Sequence, residues 1–181
     1  MNTLTVAGGC FWCVEHDLRH LVGVIDAVSG YATDDQTPQN TPTYHNHNGF
    51  REAVQITYDP NQTSFKKIVQ FFLDHIDPTD AGGQFHDRGE SYKTAIYFKS
   101  QDEQNTAQAL LAELGGSGIY DQPIAVQVLP CGQFFTAEDY HQNYAEKNPA
   151  HYAGYRTGSG RAAFVGQVCE IREQKKIEWK E

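Results

Sequence analysis

The chain has 181 residues and a mass of 20.3 kDa, is 39% hydrophobic and 20% charged, and carries a formal charge of -9. A chain of this size buries enough surface to fold without a metal or a disulfide, and the apolar content excludes disorder over most of its length. Its fourteen Lys and Arg are scattered apart from a short cluster at Lys175-Lys176, which excludes nucleic acid as an expected partner.

Met1-Asn2-Thr3 carries no basic leader, and no apolar run approaches the roughly 18 residues of a membrane span, so a cytoplasmic protein with no membrane partner is expected. Cysteines 10, 13, 131 and 169 are too few and too unevenly placed for a secreted disulfide framework. In a reducing compartment they stay available for chemistry.

Leu4 to Ala7 is an apolar run ending in Gly8-Gly9, after which Cys10, Val14 and Leu18 recur at helical spacing. The segment reads strand, glycine turn, helix. Val22 to Val28 and Ala53 to Tyr58 are β-branched runs read as strands, the second closed by Asp59-Pro60. From Ser64, the residues Phe65, Ile68, Val69, Phe72 and Ile76 fall on one helical face, opposite Lys66, Lys67 and Gln70. Thr94 to Phe98 predicts a further strand, and Ser100-Gln101-Asp102-Glu103 is a capping box opening a helix that ends near Gly115-Gly116. Ile124 to Leu129 predicts a last strand, stopped by Pro130.

The order β-α-β-β-α-β-α-β predicts an α+β fold, a two-layer α/β sandwich with a ferredoxin-like core and one added helix. Beyond Pro130 the chain is rich in Gly, Tyr and Asn, with a brief helical possibility over Ala137 to Ala145. A single domain is expected over residues 1–181, its core at about 1–130 and a long C-terminal coil wrapping it over about 131–181. The connections from Tyr31 to Phe50 and from Asp77 to Tyr92 exceed the usual length, which marks them as places for a site.

Cys10 follows two glycines and opens a helix, so unpaired amides and the helix dipole are expected to favour its thiolate. The alternative is an inert buried cysteine, which gives no account of the glycines. Phe11 and Trp12 splay apart on the first turn and cannot share one core, so an aromatic wall for a methyl or thioether group is expected, against the plainer reading of two helix anchors.

With those residues in view, Gly9-Cys10-Phe11-Trp12 resembles the signature of the A-type peptide-methionine (S)-S-oxide reductases. The resemblance runs on through Ser29-Gly30-Tyr31, Glu52-Ala53-Val54, Thr57-Tyr58-Asp59-Pro60, Asp77-Pro78-Thr79, Asp87-Arg88-Gly89 with Tyr92, Glu138-Asp139-Tyr140-His141-Gln142, and Ser159-Gly160-Arg161. It implies reduction of methionine S-sulfoxide, with proteins, the free amino acid or both left open as substrates, by a thiolate that becomes a sulfenic acid. It implies no bound cofactor or metal, thioredoxin or a similar dithiol as reductant, and oxidised proteins or peptides carrying methionine sulfoxide as partners. A monomer is the default. By the same resemblance Cys10 is the nucleophile and Glu52 the buried acid, and Tyr31 and Tyr92 hydrogen-bond the substrate oxygen. Asp87 and Tyr140 join Phe11 and Trp12 around the substrate.

Ala32-Thr33 stand where the family often has two glycines, and Phe50 where it often has His. The loop from Pro42-Thr43-Tyr44 to Glu52 looks short, and its His45 and His47 read as solvated. A sulfenic acid must be removed by a second cysteine or by an external thiol. Cys13 stands at dithiol spacing, Cys169 in the expected mobile coil, and Cys131 after Pro130; all three stay open, Cys13 and Cys169 ahead. Two other functions compete: a thioredoxin-like dithiol at Cys10-Phe11-Trp12-Cys13, which leaves Glu52, Tyr31 and Tyr92 without a role, and structural zinc, for which no second cysteine pair exists.

Overall fold

The structure, a computed structural model, describes residues 1–180. The strands are β1 (Asn2–Ala7), β2 (Val24–Ala32), β3 (Arg51–Tyr58), β4 (Gly83–Gln84), β5 (Asp87–Arg88), β6 (Ala95–Phe98), β7 (Gln127–Pro130) and β8 (Phe134–Thr136). The helices are α1 (Phe11–Arg19), α2 (Phe65–Asp74), α3 (Gln101–Gly115), α4 (Tyr144–Lys147), α5 (Pro149–Gly158) and α6 (Arg161–Lys175). The fold is mixed α/β.

Six strands form one sheet in the order β7-β6-β1-β3-β2-β8, and β4 pairs with β5 apart from it. Every neighbouring pair of the large sheet is antiparallel except β6 with β7. The register sets Val6 against Val54 and Tyr31 against Glu52. One face of the sheet carries Leu4, Val6, Val54 and Ile56, which pack with Phe11, Val14 and Leu18 of α1 and Ile68 and Phe72 of α2. Each such side chain contributes about 1.5–3 kcal/mol by leaving water. Glu52 lies two residues before Val54, so the period of the strand turns it to this same face, toward the start of α1.

Ser64 Oγ accepts from the Lys67 amide at 3.2 Å, and Ser100 Oγ accepts from the Glu103 amide at 3.2 Å, while Glu103 reaches back to the Lys99 amide at 2.7 Å. The expected capping box is in place one residue wider. β2 runs on to Ala32, past the expected end at Val28, and so draws Tyr31 into the sheet. The last apolar run pairs only from Gln127, and Phe134–Thr136 adds a further strand at the opposite edge.

The expected C-terminal coil is corrected by three helices and that strand. Apolar periodicity misses α5 and α6 because they bury almost nothing apolar: Tyr152 on the first, Val168 beside Arg161 on the second, with Gly154, Gly158 and Gly166 in their runs. Polar contacts hold them instead. Arg156 pairs with Asp17 at 3.0 Å and Arg172 with Asp74 at 2.7 Å.

Candidate active site

The turn between β1 and α1 presents Cys10. Gly9 has φ +78, and a Cβ there would lie 2.5 Å from the Cβ of Gln84, so only glycine fits. Gln84 is itself fully buried, bonded to the Asp77 amide at 2.8 Å and to its carbonyl at 2.7 Å. Cys10 caps α1 and is 6% exposed.

The carboxyl of Glu52, 2% exposed, accepts from the Phe11 amide at 3.1 Å. Burial pushes it up to about 8, and the nearby Asp87 charge adds to this, over the opposing effect of the Phe11 amide and the Tyr92 hydroxyl. At neutral pH it therefore carries a proton.

Cys10, Phe11, Trp12, Tyr44, Glu52, Asp87, Tyr92 and Tyr155 line one pocket of about 70 Å³. Larger cavities lie elsewhere, one under the C-terminal segment and one on the opposite sheet face, and neither is lined by a cysteine. Chemistry, not volume, selects the small pocket. Tyr155 comes from α5, and its hydroxyl donates to Asp87. The Tyr44 amide donates to Glu138 Oε1 at 2.9 Å and the Tyr31 hydroxyl to Glu138 Oε2 at 2.9 Å, so one carboxylate fixes both tyrosines. Trp12 stacks on Tyr144 at 3.8 Å between centroids, and its indole N–H donates to His141 Nδ1 at 3.1 Å. This holds the indole plane as a rigid wall.

The expected low pKa at Cys10 is not what the surroundings give. Burial, and then Cys13, push the Cys10 thiol up, while Cys13 one turn along is lowered to about 7 because Cys10 donates to it and Arg161 and Arg156 stand near. Of the two thiols Cys13 is the more readily ionised, and the helix start does not overcome the dry environment of Cys10.

A family model described as peptide methionine sulfoxide reductase matches residues 2–173. The chain belongs to that family. It is 46% identical over 167 residues to the peptide methionine sulfoxide reductase MsrA of Bacillus licheniformis, covering 90% of this chain and 91% of that protein. It is 43% identical over 164 residues to MsrA 2 of Staphylococcus aureus, covering 89% and 92%. Among solved structures it resembles the reduced form of Mxr1 from Saccharomyces cerevisiae, with TM-score 0.73, 28% identity and coverage of 82% and 86%. The methionine sulfoxide reductase A of Corynebacterium diphtheriae gives TM-score 0.66, 29% identity and coverage of 81% and 74%. Mxr1 solved in complex with Trx2 has the same fold, with TM-score 0.55, 23% identity and coverage of 80% and 84%. The protein is an oxidoreductase that reduces methionine sulfoxide.

In this reductase the expected residues Cys10, Phe11, Trp12, Glu52, Asp87 and Tyr92 meet at the pocket, and Cys13 lies buried in a cluster with Cys10, Ala145 and Tyr152. Tyr31 does not line the pocket; its ring is fully buried and its hydroxyl faces Glu138. Tyr140 is 55% exposed, turned outward because the short helix Asp139–His141 sends the next residue, His141, inward. Cys169 is exposed near Glu173 and lies within helix α6 instead of the expected coil. His45 is exposed, and His47 stacks on Tyr31 at 5.1 Å. Phe50, in place of His, is buried against Phe135 at 5.7 Å. Sequence reasoning missed Tyr44, Tyr155 and Glu138. Tyr44 sits in the short loop already singled out, so a signal was there; Tyr155 had none, since only the docking of α5 brings it in.

Proposed function

We propose that Cys10 attacks the sulfur of methionine S-sulfoxide while Glu52 gives its proton to the sulfoxide oxygen. The observation that carries this is the pairing of a thiol and a protonated, buried carboxyl across one small pocket, joined through the Phe11 amide. A sulfoxide oxygen needs a proton or strong donors as the S–O bond weakens, and a general acid contributes about 10²–10⁴-fold. The Tyr44 and Tyr92 hydroxyls hydrogen-bond that oxygen, Phe11 and Trp12 enclose the methyl and thioether, and Asp87, oriented by Tyr155, holds the substrate backbone. Tyr31 acts at one remove, through Glu138 on Tyr44. Tyr140, exposed beside His141, meets the flanking peptide.

As substrate enters, the Cys10 proton passes to Cys13. Oxygen transfer leaves methionine and a Cys10 sulfenic acid, and Cys13 then displaces water to form a Cys10–Cys13 disulfide. Helical adjacency in one cluster favours Cys13 over Cys169 as resolver. A thioredoxin-type dithiol reduces the disulfide, a reading supported by the family and by the yeast relative's complex with Trx2. No bound cofactor is required. Peptides carrying methionine sulfoxide are the substrates, in the cytoplasm, and the chain acts as a monomeric single domain. We read the run β6-β1-β3-β2, all antiparallel and linked through α1 and α2, as a ferredoxin-like core.

The test is to mix pre-reduced protein with a stoichiometric amount of a blocked methionine S-sulfoxide, without reductant. About one methionine per chain with loss of two thiols is expected. Unchanged methionine formation by Cys10→Ser removes Cys10 from the mechanism, and no methionine from the folded wild type overturns the reading.

A further inference from the structure

Arg161 opens α6 inside the protein, 2% exposed and among the largest fully buried side chains. Its guanidinium donates to the Gly8 carbonyl at 2.7 Å and to the His75 carbonyl at 3.0 Å, and lies over the Phe85 ring at 4.8 Å. It reaches so close to the turn that a Cβ on Gly9 would stand 3.1 Å from Nη2. Among the described residues no carboxylate forms an ion pair with it. Asp17, across a cavity of about 10 Å³, is paired with Arg156 at 3.0 Å.

This placement runs against two ordinary preferences. A cation in the first helical turn meets the positive end of the helix dipole, and a buried charge without an anion is costly. Two carbonyls and one ring offset part of that cost. The neighbouring elements offer two sources of negative charge, the Asp17 carboxylate, already paired with Arg156, and the cysteine pair that follows the Gly8-Gly9 turn Arg161 binds.

We propose that Arg161 is a positioning residue of this reductase, clamping the glycine turn that presents Cys10 and supplying the buried positive charge against which the Cys10–Cys13 pair holds its thiolate. The proposal rests on those two cysteines being the reacting thiols. Its clamp is geometric: the Gly8 carbonyl it binds precedes Cys10 by two residues, so α6 fixes the turn from outside the sheet. Its charge acts on Cys13, which also faces Cys10 and Asp17 on α1, Glu52 on β3, and Tyr152 and Arg156 on α5. Of the two cations, Arg156 already has a carboxylate partner, and Arg161 does not.

The test titrates the thiolate by its ultraviolet absorbance in wild type, Arg161→Lys, Arg161→Gln and Arg161→Met, beside the rate of iodoacetamide capture. Loss of the charge in Arg161→Gln and Arg161→Met is expected to raise the midpoint by about one unit and slow capture near neutrality about tenfold, with Arg161→Lys restoring part of both. An unchanged midpoint in a folded neutral variant overturns the proposal. Where the neutral variants do not fold, the wild-type chain answers: its stability advantage over Cys13→Ser is expected to grow as pH rises past about 7 toward 9. A constant difference overturns it. Failure of the thiol assignment is distinguishable, because Cys10→Ser would then form methionine at the wild-type rate.

Discussion

The backbone amide of Phe11 donates to the carboxyl of Glu52 at 3.1 Å, across forty-one residues of sequence. That bond ties the first turn of α1 to the start of β3, so the helix that Cys10 opens and the carboxyl of Glu52 are held in register. A displacement of either by even 1 Å is costly to a reaction that depends on alignment.

As the proposed proton donor, Glu52 is expected to give the reaction its pH limit. Its proton is retained up to about 8, so turnover is expected to fall as pH rises through that value, and Glu52→Gln is expected to lose about 10²-fold or more with no such fall. Stability has a definite sign as well. The unfolded carboxyl ionises near 4.5 and the folded one near 8, so the wild type loses stability as pH rises between them. Urea unfolding at about pH 5 and about pH 9 is expected to show Glu52→Gln gaining on the wild type with pH.

Tyr44 and Tyr31 share Glu138 but face different surroundings. Tyr44→Phe removes a hydroxyl in the pocket and is expected to lower kcat about tenfold or more, while Tyr31→Phe loses a 2.9 Å bond to Glu138 and costs about 1 kcal/mol of stability, with most of the rate kept. Steady-state kinetics beside thermal unfolding separates the two. Equal losses of rate would return Tyr31 to the pocket.

The cysteine series is equally sharp. Cys13→Ser is expected to form one equivalent of methionine and stall under a thioredoxin-type reductant that acts on a disulfide, because its sulfenic acid has no internal partner, while a small external thiol restores turnover. Cys169→Ser, altering an exposed thiol beside Glu173, is expected to turn over as the wild type does. Wild-type turnover by Cys13→Ser with a stalled Cys169→Ser would reverse the assignment.

Gly9→Ala is expected to damage the fold and the site together. The left-handed backbone at φ +78 costs about 1–2 kcal/mol for any other residue, and the new Cβ would meet Gln84 at 2.5 Å. A lowered Tm with slower thiol capture is the expected pair of results; an unaltered Tm would mean that the turn relaxes freely.

The residues themselves determined what is local. Gly8-Gly9-Cys10 announces a turn into a helix, Phe65 to Ile76 announces an amphipathic one, and Ser100 to Glu103 announces its own cap, because each rests on neighbours within a turn or two of chain. The family signature around Cys10 and Glu52 is local in the same sense. Tertiary structure alone decided the rest. The helices α5 and α6 are fixed by long-range polar contacts, Arg156 with Asp17 and Arg172 with Asp74, which leave no periodic trace in the sequence. Which tyrosines reach the pocket depended on strand register and on docking: β2 pairs as far as Ala32 and turns Tyr31 away to Glu138, while α5 carries Tyr155 in beside Asp87. The acidity of the thiol pair was hidden for the same reason, since burial pushes Cys10 up, and the charges nearest Cys13 include Arg161 and Arg156, far away in sequence. Proximity in sequence fixes backbone conformation, but electrostatics follows proximity in space.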